Sequence, residues 1–439
     1  MPTEPSRRRA LVAAVIAVLA AMWMSLASGL VSSNDGSHVA LARALVLRGE
    51  TTIDPDVGLT LWVDRAHRDG HDYSDRPPGT AFAALPAIRV GAWLDPFWYE
   101  DSKARIEAGA DASSVDALVV VRPATDQYIA TYGKRRLQLG GAGPNLIALQ
   151  GTALAITVHT AIIGALGLWA VIAILRRRNV GMHGQLFAAL TLGVATLYGP
   201  YATMLFSHVT TATAVLLLLL SLDRLRDEAA HVARDGSLAG LAAGWAIASD
   251  YAIVVAVIPI VLVGAPMRRL WAVPLGAIPI LAAMLAYHDA AFGSPFSIGY
   301  DHQTNFEFAR DRGETFGGDP LHGAWTLLGF GQGAGLLAQS PIAFVGLGGL
   351  ALVGDRRLLL ALAPWTILLC FHATPEGGAG QDHRYLVPAL GPAAIGLGVL
   401  WDRFTGPGDR RAKTYALTLV LLAAASAILV WSHFFAWRG

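Results

Sequence analysis

Four short stretches of this 439-residue sequence bring together groups suited to acid–base or anion chemistry. The first is Ser33-Asn34-Asp35-Gly36-Ser37-His38, directly after a long apolar run. A carboxylate held at a helix end and partly desolvated suits a general base, which needs a set distance to its proton and a tuned pKa. Asp35 in such a run equally suits a helix N-cap. The second is Asp72-Tyr73-Ser74-Asp75-Arg76-Pro77-Pro78-Gly79, where two prolines stiffen the chain ahead of an apolar segment. Arg76 there matches a phosphate through paired donors, or anchors an interfacial helix. The third, Gly380-Gln381-Asp382-His383-Arg384-Tyr385, opens an apolar stretch with Pro388 one turn in, so Arg384 is a second phosphate partner or a snorkelling anchor. The fourth runs from Phe292-Gly293-Ser294-Pro295 to Gly299-Tyr300-Asp301-His302, either a ligand-facing loop or a plain connection. From these stretches Asp35 is the candidate catalytic residue, and Arg76 with Arg384 the candidate phosphate binders. Asn34, His38, Tyr73, Asp75, Tyr300, His302, Asp382, His383 and Tyr385 are candidate substrate contacts.

The elements that must position these residues are membrane helices. The chain is 54% hydrophobic and 15% charged, with mean hydropathy +0.47, against roughly 25% charged in soluble domains. That balance disfavours a disordered chain, a disulfide scaffold and a nucleic-acid binder. A net charge of +1 confines any attraction for phosphate to local clusters. The lone Cys370 excludes an intrachain disulfide and a cysteine-based zinc site. Apolar windows predict an all-α bundle of about eleven transmembrane helices. Their limits are 10–32, 146–175, 183–199, 203–222, 237–249, 251–265, 271–290, 338–354, 358–372, 386–401 and 414–434.

Arg7 to Arg9, Arg176 to Arg178, Arg224 with Arg226, Arg268 with Arg269, Arg356 with Arg357, and Arg403 through Lys413 then fall on one side. By the positive-inside rule that side is cytoplasmic, which puts the N-terminus inside. The chain divides into a first span (1–32), an outer loop with juxtamembrane helices (33–145), spans two to seven (146–290), a second outer loop (291–337) and spans eight to eleven (338–439). The first apolar stretch exceeds a signal-peptide core and reads as an uncleaved span despite the small residues of Ser25-Leu26-Ala27-Ser28-Gly29. Gly79 to Leu94 is short and carries Arg89; a full crossing would flip every later basic cluster, so it reads as a helix in or partway into the interface. Ser37 to Leu47, capped by Asn34 or Asp35, reads the same way, and 325–337 as a third such element. Spans 237–249 and 251–265 are individually short, which suggests longer helices or a helical hairpin.

The predicted spans are nearly free of ionisable groups, apart from His159, His208, Asp250 and His288 with Asp289. A transporter or lipid flippase would keep such groups inside its spans as a relay. Here carboxylates and arginines crowd the outer span ends instead, which favours chemistry at the membrane surface. No cofactor is called for. His67 and His71, four apart, with His302, His322 and His383 elsewhere outside, are the only hint of a divalent cation.

Taken together, the four stretches resemble the GT-C superfamily of membrane glycosyltransferases. The nearest branch is similar to that of protein O-mannosyltransferases and lipid A aminoarabinose transferase. Members carry an acidic motif after span one, a Lys-Pro-Pro-Leu or His-Pro-Pro-Leu motif in the first outer loop, Phe-Gly-Ser-Pro before a large outer loop, and an Arg-Tyr-Leu-hydrophobic-Pro start to a late span. Asn34-Asp35-Gly36, Arg76-Pro77-Pro78-Gly79, Phe292-Gly293-Ser294-Pro295 and Arg384-Tyr385-Leu386-Val387-Pro388 stand in that order. Gly36 replaces the usual second acid, Arg76 the usual lysine, and residues 97–145 have no counterpart. The resemblance implies transfer, with inversion, of a sugar from a polyprenyl-phosphate donor to an acceptor hydroxyl of a glycan, lipid or protein, at the outer face of the plasma membrane. It implies Asp35 as base and Arg76 with Arg384 at the departing phosphate. Trp62, Tyr73 and Trp93 would stack on sugar rings or, for Trp93, anchor the interface. A catalytically silent scaffold of the same shape is the reading that the missing second acid leaves open.

Overall fold

The computed structural model describes residues 4–27, 30, 32–97, 119–124, 127–132, 135–140, 147–352, 355–378, 381–405 and 411–438. Gly380, Ser28, Gly29 and part of the 97–145 segment lie outside them. Helices occupy all eleven stretches expected from hydropathy. They are α1 (Glu4–Leu26), then, after two loop helices, α4 (Gln150–Arg177), α5 (Met182–Val194), α6 (Ser207–Leu225), α7 (Val232–Ser249), α8 (Val254–Gly264) and α9 (Val273–Phe292). After the second loop, which holds α10 (Pro320–Leu328), come α11 (Pro341–Leu352), α12 (Arg356–Cys370), α13 (Val387–Phe404) and α14 (Ala412–Arg438). Among the described residues six helical stretches are long and apolar enough to cross a bilayer, so this is a multi-pass membrane protein.

Burial separates centre from periphery. In their most apolar windows α6 is 83% buried and the stretch containing α13 78%, whereas α1 is 11% and α14 22% buried. The outer helices therefore present apolar faces to lipid, where burial inside the protein brings no extra hydrophobic gain. Close approach substitutes for it: a Cβ on Gly240 of α7 would lie 1.7 Å from the Val273 carbonyl oxygen of α9. The short 237–249 stretch is part of a longer helix that starts at Val232, and the chain breaks at Asp250, whose carboxylate accepts from the Ala252 amide at 3.0 Å. The first helix ends at Leu26 rather than near 32, because Ser32 already caps the next one.

The first long loop contains α2 (Ser33–Arg43), a π-turn over Ala44–Arg48, a 3-10 turn over Asp54–Thr60, the hairpin β1 (Arg65–Arg68) and β2 (His71–Ser74), and α3 (Gly79–Leu94). Helix α2 begins four residues before its expected start, since Ser32 rather than Asn34 or Asp35 is the cap. Helix α3 packs on α2, α4 and α7; a Cβ on Gly79 would meet the Ala248 carbonyl carbon at 2.5 Å, so only glycine permits this approach. Beyond α3 the loop adds an antiparallel sheet of order β5-β4-β3-β6, from β3 (Val119–Ala124), β4 (Gln127–Tyr132), β5 (Arg135–Gly140) and β6 (Ile147–Ala148). The all-α expectation holds for the bundle, but this loop is partly β. The second long loop docks on the hairpin: Gln303 bridges Ala66, and the Asn305 amide donates to the Trp62 and Val63 carbonyls at 2.7 and 2.9 Å.

Candidate active site

The site is built around the start of α2. Ser32 and Asp35 form a capping box, so Asp35 occupies the third helical position and is fully buried. Its Oδ1 accepts from the Ser32 amide at 2.8 Å, the Ser32 hydroxyl at 3.1 Å and the Gly36 amide at 3.2 Å. Its flanking serines reach outward on the same helix. Ser33 donates to Asp64 Oδ2 at 2.5 Å, and Ser37 lies 2.8 Å from the Ser74 hydroxyl and 3.4 Å from Asp75 Oδ1.

Asp64 and Asp75 in turn hold Arg76, which follows β2. Arg76 is ion-paired to Asp64, and its Nε lies 3.3 Å from Asp75 Oδ1 without the alignment of a hydrogen bond. Tyr300 acts electrostatically on Arg76, and Gln303 Nε2 donates to Asp75 Oδ2 at 3.0 Å, so both long loops close on this group. Burial pushes Asp75 up to about 6, against the pull of Arg76 and with a further push from Asp64. Burial works against the Arg76 charge, yet Asp64 and Asp75 outweigh it and hold the guanidinium protonated above its ordinary range. Tyr300 is pushed up to about 12 by burial, with Arg76 opposing. His38, one turn after Asp35, is driven down to about 3 by burial and by Arg76, so its ring is neutral at physiological pH.

Arg384 sits in a 3-10 turn that feeds α13, with proline at the start of the helix. Asp382 accepts from the Arg384 amide at 3.0 Å and from the Tyr201 hydroxyl at 2.7 Å, and that hydroxyl also bonds the guanidinium. Gly377, at φ +71°, leaves the room the guanidinium needs: a Cβ there would be 2.9 Å from Arg384 Nε. His208, in the first turn of α6, lies within electrostatic reach of both arginines, distant from each other in sequence. Arg384, Arg76 and His38 all act electrostatically on this buried imidazole. Its ring stands edge-on to Tyr201 at 5.1 Å and to Tyr385 at 6.1 Å.

The structure therefore brings together the Asp35 turn, His38, Asp75, Arg76, Tyr300, Asp382, Arg384 and Tyr385. Other candidates hold local structure. His302 stacks on Phe292 at 5.2 Å and bonds Ser297; Tyr73 packs on Phe292 at 5.5 Å; His383 bonds the Ala334 carbonyl at 3.1 Å. The Asn34 amide donates to the Ser32 hydroxyl within the cap. Trp93 is 68% exposed beside Phe97, as an interfacial anchor would be, and Trp62 meets the second loop through its carbonyl. His67 and His71 do not share a helix face; they lie on β1 and β2, bonded to Asp72 and Asp54. Among the described residues no group of three His, Cys, Asp or Glu side chains is placed to hold a metal. Sequence reading overlooked Asp64, Tyr201 and Gln303, which lie in no motif. His208 was visible as an ionisable residue in an apolar span, the usual mark of function in a membrane.

The whole-chain architecture is similar to that of several solved membrane transferases. It matches ArnT from Cupriavidus metallidurans bound to undecaprenyl phosphate over 98% of this chain and 75% of that one, with a TM-score of 0.51 and 13% identity. It matches a mutant form of the arabinofuranosyltransferase AftD from Mycobacteria over 97% of this chain and 28% of that one, at TM-score 0.51 and 14% identity. The Archaeoglobus fulgidus oligosaccharyltransferase in its apo form matches over 97% and 56%, at TM-score 0.50 and 11% identity. The chain thus spans about a quarter of AftD and just over half of the oligosaccharyltransferase. All three are GT-C superfamily members, and this chain has the GT-C fold. No family model and no curated protein matches the sequence.

Proposed function

We propose that this protein transfers a sugar, with inversion, from a polyprenyl-phosphate donor to an acceptor hydroxyl at the outer face of the plasma membrane, with its N-terminus in the cytoplasm. The observation that carries the reading is that Asp64 and Asp75, the two carboxylates against Arg76, also meet the serines on either side of Asp35, while Arg384 and Arg76 are both within electrostatic reach of one buried imidazole. The ArnT neighbour's undecaprenyl phosphate supports the lipid-phosphate part of the donor. In the reaction Asp35 accepts the proton of the acceptor hydroxyl as its oxygen bonds to the anomeric carbon. The bond from that carbon to the phosphate oxygen breaks, and its electron pair stays with the phosphate. Arg76 and Arg384 offset the charge that grows there, where preorganised cations are worth most because the site is already desolvated. Asp382 and Tyr201 position Arg384, and Asp64, Asp75 and Tyr300 position Arg76.

The test is transfer and donor binding measured separately for three variants. Asp35→Asn should sharply lower transfer and retain binding, while Arg76→Ala and Arg384→Ala should weaken both. Transfer surviving in all three overturns the assignment. A second reading, a silent lipid-phosphate-binding scaffold, draws on the use of Asp35 Oδ1 in the helix cap and on Gly36 in place of a second acid. Donor binding in the wild type with no transfer to a panel of glycan, lipid and peptide acceptors would favour it.

A further inference from the structure

The last turns of α6, roughly 20 Å along the helix from His208, border a pocket shared with α8 and α12. It holds about 310 Å³ of empty space, part of it open at the mouth, and its charged lining is Arg178, Arg226 and Arg357 with Asp223 and Asp355. Three guanidinium groups therefore face two carboxylates. Both carboxylates are taken: Arg178 donates to Asp355 at 2.6 Å and lies 3.5 Å from Asp223, which Arg226 also approaches at 3.4 Å. Arg357 is exposed and has no ion pair or hydrogen bond among the described residues.

The helix ends around the pocket add to its positive field. Helix α12 starts at Arg356 with no side-chain cap, so its first turn brings the positive end of a 15-residue helix dipole to the wall at Arg357 and Leu358. The negative ends of α6 and α8 are already covered. Arg269 Nη1 donates to the Leu225 carbonyl at 2.7 Å, and Arg226 Nη2 donates to the Val263 carbonyl at 3.0 Å. The rest of the wall is hydrocarbon, supplied by Leu222, Ile260, Val263 and Leu358 among others. On α8 and α12 themselves Ile258, Leu262 and Leu360 are more than half exposed, as side chains that face acyl chains are. A soluble anion satisfies only the charged part of such a wall, whereas a lipid phosphate with the first methylenes of its chains matches both parts.

We propose that this pocket binds the headgroup phosphate of an anionic phospholipid from the adjoining leaflet, with Arg226 and Arg357 as its cationic contacts and Arg178 holding the two aspartates. Basic pockets between membrane helices suit such headgroups, because the guanidinium fork pairs with two phosphate oxygens and the neighbouring hydrocarbon leaves that attraction less screened than in water. A zwitterionic lipid would bring its own ammonium group toward three arginines, so the charge balance selects a headgroup of net negative charge. The pocket is distinct from the site of the proposed transfer: Asp35, Arg76 and Arg384 take no part in it, and α8 and α12 carry none of the residues assigned to that site.

The experiment titrates the full chain in detergent with phosphatidylglycerol and with phosphatidylcholine of the same acyl chains, and reads bound lipid by native mass spectrometry. Phosphatidylglycerol should bind at least ~10-fold more tightly than phosphatidylcholine. Arg226→Gln and Arg357→Gln should each weaken phosphatidylglycerol by ~5-fold, the scale of one arginine at an anionic lipid surface, and change phosphatidylcholine less than about twofold. Arg268→Gln removes an exposed arginine at the same end but outside the pocket, and should leave phosphatidylglycerol binding as it was. Unchanged thermal unfolding reports that each variant is folded, and Arg357→Gln, which breaks no contact among the described residues, reads the pocket even where Arg226→Gln is destabilised. Equal affinity for the two lipids, or wild-type affinity in Arg357→Gln, would overturn the pocket. So would an equal loss in Arg268→Gln, which would mean a diffuse surface charge. Displacement of phosphatidylglycerol by an equimolar amount of soluble glycerol 1-phosphate would make this a free-phosphate site and overturn the lipid assignment.

Discussion

Helix α6 has its first turn, with His208, in the candidate site and its last turns, with Asp223, among a second set of arginines and aspartates. In that second set Arg178 donates to Asp355 at 2.6 Å and lies 3.5 Å from Asp223, which also pairs with Arg226 at 3.4 Å, while Arg177 pairs with Asp227 at 2.5 Å. Some side chains there are wetter, with Arg177 and Asp227 at 31% and 52% exposure, although Arg178 at 23% differs little from Arg76 at 19%. At the site end Asp75 is 1% exposed, Arg76 draws on two carboxylates and a tyrosine, and neutral polar groups around it stay unpaired. The same residue types thus serve two ends of one bundle differently. Where water is present, ion pairs satisfy themselves and contribute little. Where it is excluded, a guanidinium surrounded by unmet hydrogen-bonding groups costs stability, and an arrangement of that kind is found where a ligand is to be bound.

Four perturbations bear on that contrast, in order of falling effect. Asp35→Asn should lower transfer by ~10²–10⁴-fold, the range for loss of a positioned base, with donor affinity within about twofold; rapid-quench transfer and equilibrium binding would separate the two. A parallel loss of affinity would mean that the carboxylate only builds the helix cap. Arg76→Ala should lower transfer by ~10²–10³-fold and destabilise the fold by ~3–5 kcal/mol, because Asp64 and Asp75 are left buried without their cation. Transfer assays and thermal unfolding in detergent read these losses.

The third perturbation is pH. Asp75 has a folded value raised to about 6 from 3.8, so its contribution to stability is largest below the unfolded value and is lost as pH rises through about 6. Below that point the neutral carboxyl no longer competes for Arg76, leaving Asp64 and Tyr300 on it. Binding of a phosphodiester donor, whose charge does not change in this range, should strengthen by about 2–5-fold from pH 7 to pH 5.5, and Asp75→Asn should flatten the dependence. A flat wild-type profile would place Asp75 outside the control of Arg76. The smallest effect belongs to the other end: Arg178→Ala should cost no more than about 1 kcal/mol and leave transfer unchanged. A loss there as large as that of Arg76→Ala would erase the distinction between the two ends.

Much of this was legible in order along the chain. The eleven apolar stretches became helices at nearly the expected places, since the cost of placing a charge in hydrocarbon is paid residue by residue. The motifs containing Asp35, Arg76 and Arg384 were visible because apolar sequence surrounds them. Strands in the first loop were not, because strands of two to six residues leave a weak pattern. Asp64 and Gln303 were equally hidden. Each sits in an ordinary loop, and its importance comes from a partner elsewhere: Asp64 meets Ser33 and Arg76, Gln303 meets Asp75.

Taken alone, the sequence determined a polytopic helical protein and the presence of one acid and two arginines at helix ends, because partition into a bilayer depends on local composition. Only the tertiary structure decided that Arg76 and Arg384 both lie within electrostatic reach of His208, that Asp35 belongs to a capping box, and that buried polar groups on α2, α3, α6 and α7 are left unpaired. Those relations depend on how helices pack at distances of a few ångströms, and side-chain charge and hydrogen bonding act at that range and not along the chain.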